Sequence, residues 1–456
     1  MKGFSAVILA AGDGTRMKSS LPKVVHKLSG KPLINWVIDS LLPLKPDNIV
    51  LVLGRQSELV EKALGALLKE PSVKTAYQKE RKGSAHALMQ AQKTLKNYRG
   101  QILVLSGDVP LIKSETLKGL LKSNAKKGEA VTVLGATAQE PYGYGRIIKN
   151  GSSLEKIVEE KDASPEQKEI KEINGGIYCF SADIWKALSK IKPDNAKKEY
   201  YLTDAVEILK NSGKKAGFVL ADGGYEVKGI NSRAELAQAE QYVNALKIKS
   251  LLDSGVTVIA PNSVYVSSDA KIGQDSVLYP NVFIDSNVEI GKNCIIRGSS
   301  YIINSKIADN AEISYSYING AVIGKNVKAG PFSHIRPHSV LKDGVKVGNF
   351  SEIKKSVVEK NAKINHLSYI GDAFIGQDVN IGAGAITCNY DGVKKHATFI
   401  GAKSFIGSNV NFVAPVKVGK DVLVAAGSTI TKDIPSGKLA IARARQELKR
   451  KKTIKN

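Results

Sequence analysis

In the second half of the chain, aliphatic residues return at every sixth position. Ile272, Leu278, Ile284, Ile290, Ile296 and Ile302 form one register. After a phase shift, Ile323, Ala329, Ile335, Leu341, Val347 and Ile353 form a second, and Ile400, Ile406, Phe412, Val418, Val424 and Ile430 a third. Glycine often follows the anchor, as at Gly273, Gly291, Gly324, Gly348, Gly401, Gly407 and Gly419. A period of six fits neither an amphipathic helix nor one flat sheet. It predicts a short strand and a turn per repeat, stacked coil on coil into a parallel β-helix with the anchor inside. A β-sandwich would instead show alternation and irregular spacing. The flat outer faces of such a solenoid favour side-by-side association. The period fails between Ile386 and Ile400, where T-C-N-Y-D-G-V-K-K-H-A-T-F fits no coil. A loop leaves the scaffold there, and loops on rigid scaffolds are where sites tend to sit.

The first half has a different rhythm. Ala6 to Ala10 is a short apolar strand that runs into a glycine-rich loop. Leu33 to Leu42 and Ser57 to Lys69 have helical spacing, while Asn48 to Leu53 and Ile102 to Leu105 are continuous apolar runs. Strand–helix alternation over this length predicts an α/β doubly wound domain, with ligands off the carboxyl ends of its strands. A helix from Ala234 to Leu252 leads into the solenoid. The expected organisation is therefore 1–233, a linker helix over 234–254, and a β-helix with a basic tail over 255–456.

Composition narrows the class. A chain of 456 residues has room for two or three domains. No apolar run approaches the ~20 residues that span a bilayer, so no membrane insertion is expected. The apolar N-terminal stretch reads as a buried strand, since Gly12, Asp13 and Gly14 interrupt it at once. Cys179, Cys294 and Cys388 lie far apart, which suits a reduced, cytoplasmic protein. A formal net charge of +24 attracts anions in general: nucleic acid, phosphorylated metabolites or acidic membrane surfaces. A lysine-rich proteome explains much of the same excess. No aromatic-rich RNA motif or zinc spacing accompanies it, so no nucleic-acid partner is expected. The dense run Arg443 to Lys452 is either a solvated tail or an anion contact.

Candidate chemistry begins at L-A-A-G-D-G-T-R-M-K, followed by Pro22 and Lys23. A strand ending in such a loop lets backbone N–H groups meet phosphate, and Arg16 and Lys23 add positive charge. Neither G-x-x-x-x-G-K-[ST] nor G-x-G-x-x-G is present. Asp108 stands at a strand end in S-G-D-V-P-L, where it is either a Mg²⁺ ligand or the cap of the helix after Pro110. Asn231, in G-I-N-S-R, is positioned to cap the helix that follows. His26, His86, His334, His338 and His396 carry no catalytic assignment.

The loop through P-K resembles that of sugar-phosphate nucleotidyltransferases. Its pairing with a hexapeptide β-helix narrows the match. So do Q-K-E-R-K-G-S-A-H-A, V-E-E-K-D-A, E-I-N-G-G-I, G-P-F-S-H-I-R-P, V-G-N-F-S-E-I-K-K, H-L-S-Y-I-G-D-A and N-I-G-A-G-A-I-T-C-N-Y-D-G. Together these resemble the bacterial family of bifunctional N-acetylglucosamine-1-phosphate uridyltransferase/glucosamine-1-phosphate acetyltransferases, over nearly the whole chain. The resemblance implies that the solenoid is left-handed and the protein a homotrimer with acetyl-transfer sites between subunits. It implies UTP and N-acetylglucosamine 1-phosphate as substrates of the first half. Leu9, Ala10, Ala11, Gly12 and Lys23 would sit on the nucleotide, with Gln78, Gly83 and Ser84 near the uracil. Asp108 and Asn231 would hold Mg²⁺, and Gly145, Glu159 and Asn174 would contact the sugar. Ser106 and Ser84 depart from the family's usual Tyr and Thr but keep a hydroxyl. For the second half it implies acetyl transfer from acetyl-CoA to glucosamine 1-phosphate. His366 would be the base, with Glu352 orienting its ring. Arg336, Lys354, Tyr369 and Asn380 would bind the sugar phosphate; Ala383, Asn389, Tyr390, Ser408, Ala426 and Arg443 would bind acetyl-CoA. The runner-up is a single-activity nucleotidyltransferase whose solenoid only trimerises.

Overall fold

The computed structural model describes residues 3–151 and 153–450. They fall into two compact units, Met1–Glu240 and Gln241–Asn456, and the helix Arg233–Asp253 runs across that division.

The first unit is built on a nine-stranded sheet. Its central strand, Phe4–Ala10, pairs in parallel with Asn48–Leu53 on one side and Gln101–Ser106 on the other. These strands are continuous apolar runs because both faces are covered. Successive side chains point to opposite faces. Val7, Val50 and Val104 join one core with the helix Ser84–Leu95. Ala6, Ile8, Leu51 and Leu103 join another with the helices Leu33–Leu41 and Ser114–Lys127. The sheet is mixed rather than purely parallel. Glu172–Phe180 runs antiparallel between Gln101–Ser106 and Val131–Thr137, and the hairpin Arg146–Asn150/Ser153–Val158 hangs from it. The helix expected over Ser57 to Lys69 stops at Leu64. Gly65 takes a positive φ of 54° there, and a 3-10 turn follows.

The second unit is the solenoid. Three parallel sheets of 11, 10 and 9 strands form its sides, each coil giving one strand to each. The anchors stack in register: Ile284 on Ile302, Ile302 on Ile318, Ile318 on Ile335, Ile335 on Ile353. The phase shift has a simple cause, since the coils from Ile302 to Ile318 and from Ile318 to Ile335 are shorter than the one from Ile284 to Ile302. Many corners are left-handed, and where glycine does not stand there Asn or Asp fills most of them, as at Asn281, Asn293, Asn310, Asn361 and Asp378. Those residues tolerate that conformation better than other L-residues. At the break in period the inward residue is Thr387, 1% exposed, whereas Ile386 is 39% exposed. Thr387 satisfies its buried hydroxyl on Gly371, accepting from its N–H at 2.8 Å and donating to its C=O at 3.1 Å. The excursion after it is closed by an antiparallel bridge between Tyr390 and Lys395.

Candidate active sites

The carboxyl ends of the central strands open onto a cleft of ≈ 300 Å³. Leu9, Ala10, Ala11 and Gly12 form one wall, Gln78, Gly83 and Ser84 another, and Lys23, Ser106 and Asp108 the floor. The loop owes its shape to Gly14, which has φ 62° and would place a Cβ 2.5 Å from that of Lys23. Its absence lets Lys23 fold under the loop. Gly83, at φ 104°, has no room for a Cβ against the Tyr200 carbonyl, 2.4 Å away. Arg16 is exposed on the loop and is not among the cleft's lining residues. Arg81 pairs with Asp13 instead.

Lys23 donates to Asp108 and, at 2.8 Å, to Asn231 Oδ1. Asp108 is 7% exposed and also accepts from Ser106. Burial alone would raise its pKa, but the Lys23 charge and the hydrogen bonds from Lys23 and Ser106 outweigh this and lower it. Both capping alternatives are corrected. The helix after Pro110 starts at Ser114 with Lys113 at its N-cap, so Asp108 caps nothing. Ser232 accepts from the Glu235 N–H at 3.2 Å, which leaves the Asn231 side chain free to face Lys23. Two hard oxygen donors thus converge on one ammonium, a donor set that fits Mg²⁺ completed by water and phosphate. Among the described residues no group of three or more His, Cys, Asp or Glu could hold a metal by itself. The sequence missed Ser106 as the support of Asp108 because its partner lies two residues along a turn, a contact no periodicity encodes.

Gly145, Glu159 and Asn174 gather beside one another rather than in that cleft. The Asn174 N–H donates to the Gly145 carbonyl at 2.8 Å, and a Cβ on Gly145 would lie 3.5 Å from the Val158 carbonyl and 3.6 Å from Asn174 Cβ. Glu159 accepts from Thr203 Oγ1 at 3.3 Å. Burial raises its pKa.

In the solenoid, His366 ends the strand Lys363–His366, stacked on Asn349. Its Nδ1 lies 2.8 Å from Asn349 Oδ1. An amide oxygen only accepts, so Nδ1 carries the proton and Nε2 is left as the base. Glu352 does not orient this ring. It stacks under Tyr369 on the next side of the solenoid, and its carboxylate accepts from Arg336 at 2.7 Å. Asn349 takes the orienting position, and only the coil lengths could have placed it under His366. Nearby, the contact and charge of Lys395 lower the Lys354 pKa, with Arg336 adding to the effect. A cluster of cations held this close is what an anion would relieve. The Tyr369 hydroxyl and the Asn389 amide converge over Gly371, where a Cβ would meet them at 2.5 and 2.8 Å. Asn380 stacks on Lys363 in the strand row that carries His366. Ala383, Ser408 and Ala426 lie two residues past the stacked anchors Ile381, Ile406 and Val424 and so form a column of small side chains. Arg443 closes it, donating to the Ala426 carbonyl at 2.9 Å. Tyr390, 60% exposed, sits on the excursion and donates to the Gly392 carbonyl at 2.5 Å.

Comparison with known proteins agrees with this division. Residues 5–226 match the family model for nucleotidyl transferases. Residues 260–349 match a GMPPB C-terminal domain, and 397–432 the six-repeat bacterial transferase hexapeptide. "Bifunctional protein GlmU" of Acetivibrio thermocellus is 46% identical over 100% of this chain and 98% of its own. The chain belongs to the GlmU family. GlmU of Caldanaerobacter subterraneus subsp. tengcongensis is 47% identical over 98% of this chain and 96% of its own length. That of Caldicellulosiruptor saccharolyticus is 48% identical over the same shares. The GlmU likeness thus spans both units and includes the excursion after Thr387.

Proposed function

We propose that the cleft around Lys23 and Asp108 is the uridylyl-transfer site of this GlmU family member and that the solenoid surface around His366 is its acetyl-transfer site. The activity is that of the family: glucosamine 1-phosphate is acetylated, and the product is joined to UMP from UTP to make UDP-N-acetylglucosamine. For the first step, His366 takes a proton from the amine of glucosamine 1-phosphate on Nε2 as the nitrogen attacks the thioester carbonyl of acetyl-CoA; the C–S bond then breaks and CoA leaves as the thiolate, which takes up the proton. Asn349 holds Nδ1–H. Arg336, Lys354 and Lys395 take the sugar phosphate; the small column ending at Arg443 takes the extended cofactor, with its phosphates toward the arginine. For the second step, a phosphate oxygen of N-acetylglucosamine 1-phosphate attacks the α-phosphorus of UTP and pyrophosphate leaves. Such a transfer needs positioning and charge neutralisation rather than a covalent nucleophile. Lys23 and the loop amides bind phosphate, Asp108 and Asn231 hold Mg²⁺, and Gly145, Glu159 and Asn174 hold the sugar. When bound, Mg²⁺ supplies charge neutralisation on the phosphates. The observation that carries this reading is the convergence of Lys23, Asp108 and Asn231 at the mouth of the strands.

We also propose a homotrimer. Tyr315, Phe332, Phe350 and Leu367 occupy left-handed corners in successive coils, with φ of 45°, 59°, 56° and 51°, and are 47%, 55%, 59% and 61% exposed. Bulky residues rarely adopt that conformation, and an apolar ridge beside His366 favours burial against another copy.

Two turnover assays test the assignment. His366→Ala should abolish acetyl transfer and leave uridylyl transfer intact, and Asp108→Ala should do the reverse. Loss of both activities in either variant, or of neither, would overturn the assignment.

A further inference from the structure

Gln78 reaches the cleft from the turn after the strand Val73–Tyr77 and is only 4% exposed. Its amide nitrogen, Nε2, is held twice. It donates to the Gly83 carbonyl at 3.1 Å and lies 3.0 Å from His86 Nδ1. A carbonyl only accepts, so the end of the amide facing Gly83 is the NH₂ group. The same NH₂ group faces Nδ1, which must therefore be the unprotonated nitrogen of a neutral ring. The other ring nitrogen is 3.4 Å from the Gln90 amide nitrogen, the longer of the two contacts, as expected where Nε2 carries the proton. Gln90 in turn donates to the His86 carbonyl at 2.9 Å. Oε1 of Gln78 takes no hydrogen bond among the described residues. The amide orientation is thus fixed at one end, and a hydrogen-bond acceptor is left for a ligand.

We infer that His86 is a positioning residue for base selection: by holding the Gln78 amide in one orientation it presents Oε1 to the N3–H of uracil and excludes cytosine. Uracil carries a donor at N3, cytosine an acceptor. Facing Oε1, uracil gains a hydrogen bond, while cytosine sets two lone pairs against each other. Without the lock, rotation of the amide by half a turn would offer NH₂ to cytosine N3. A site built on one fixed hydrogen bond discriminates far better than an apolar one of the same shape. His86 is not among the residues that line the cleft; it acts through Gln78. The inference rests on the reading of the cleft as the UTP site.

The test compares kcat/KM for UTP and CTP in the wild type, Gln78→Ala, His86→Leu and His86→Asn. Asn returns an acceptor oxygen close to the position of Nδ1. In His86→Leu the UTP-to-CTP preference should fall by about tenfold or more, through the KM for nucleotide, with the urea midpoint of the Trp36 and Trp185 fluorescence unchanged as the folding control. His86→Asn should keep the preference to within roughly threefold. If Gln78→Ala leaves both nucleotides unaffected, the base does not sit at Gln78 and the underlying reading fails. If Gln78→Ala impairs UTP use while His86→Leu keeps the wild-type preference, the cleft reading stands and the role of His86 is refuted. An equal loss with both nucleotides in His86→Leu also refutes it.

Discussion

Arg146 is the largest fully buried side chain among the described residues, at 1% exposure. Its guanidinium donates to Glu160 at 2.9 Å, to the Lys168 carbonyl at 3.2 and 3.3 Å, and to the Tyr144 carbonyl. Glu160 also accepts from the Gly143 N–H at 3.1 Å. The pair therefore fastens the turn Pro141–Gly145 to the hairpin, and Gly145 is a proposed sugar contact. Arg146→Met keeps most of the aliphatic bulk but strands the Glu160 carboxylate and two carbonyls. Breaking a buried pair from one side costs about 3–5 kcal/mol. Glu160 is 18% exposed, which puts the expected loss near the lower end, about 3 kcal/mol. Glu160→Gln keeps an acceptor for both donors but leaves the buried guanidinium without its counter-charge, so it too should cost about 3 kcal/mol. Both tryptophans, Trp36 and Trp185, lie in the first unit, so urea unfolding followed by tryptophan fluorescence reports on that unit. With a slope of roughly 2–3 kcal/mol per M, the Arg146→Met midpoint should drop by about 1–1.5 M. The KM for N-acetylglucosamine 1-phosphate should rise about tenfold, while the KM for UTP and acetyl transfer stay near wild type. A midpoint within experimental error of wild type, or equal rises in both KM values, would refute the clasp.

Asn349→Ala removes the hydrogen bond that fixes the His366 tautomer, worth about 1–1.5 kcal/mol, so acetyl-transfer kcat should fall about tenfold. No change would return ring orientation to another group. Asp204 is raised to about 6, first by burial and then by Glu159, Glu207 and Asp162. A carboxyl with a raised native pKa holds a proton the unfolded chain has already released, so stability falls as pH rises from the ordinary carboxylate range to about 6 and stays lower above it. Asp204→Asn should therefore stabilise the first unit at pH 7.5 by about 1–2 kcal/mol, half the gross figure because the group is only half-buried, and by nothing near pH 4. A gain independent of pH would contradict the cause given. Phe350→Glu puts a charge on the apolar ridge and should yield monomer by light scattering; an unchanged wild-type mass would remove the ridge from the interface.

The sequence was legible where one residue type repeats one job. The apolar runs Ala6–Ala10 and Ile102–Leu105 could only be strands covered on both faces, and the anchors between Ile272 and Ile430 could only point inward. It was less legible where an element gains its role from distant chain. Nothing local to Glu172–Phe180 says that it runs antiparallel, because that follows from where Gln101–Ser106 and Val131–Thr137 already lie. Asp108 and Asn231 each looked like a helix cap when read with their neighbours. Only the fold brings Lys23 between them.

The solenoid shows the same division more sharply, since its register is arithmetic. Were every coil of equal length, any residue's partner could be counted from the sequence. The count fails at the short coils below Ile335, again at those from Val347 to Ile364 and from Ile353 to Ile370, and at the excursion beyond Thr387. These departures matter most around the proposed acetyl-transfer site. The family resemblance gave Glu352 the role of orienting His366. The stacked strands put Glu352 under Tyr369 and Asn349 under His366 instead. Asn389 owes its place over Gly371 to a Thr in an anchor slot, which satisfies the Gly371 backbone and starts the excursion. Phe332, Phe350 and Leu367 take left-handed corners that Asn fills elsewhere. Strained or rule-breaking positions in an otherwise regular scaffold persist only if something compensates for them. Here the compensation would be ligand binding at the excursion and association along the ridge. The exceptions to the hexapeptide rule therefore locate the chemistry better than the rule itself, which specifies only the scaffold.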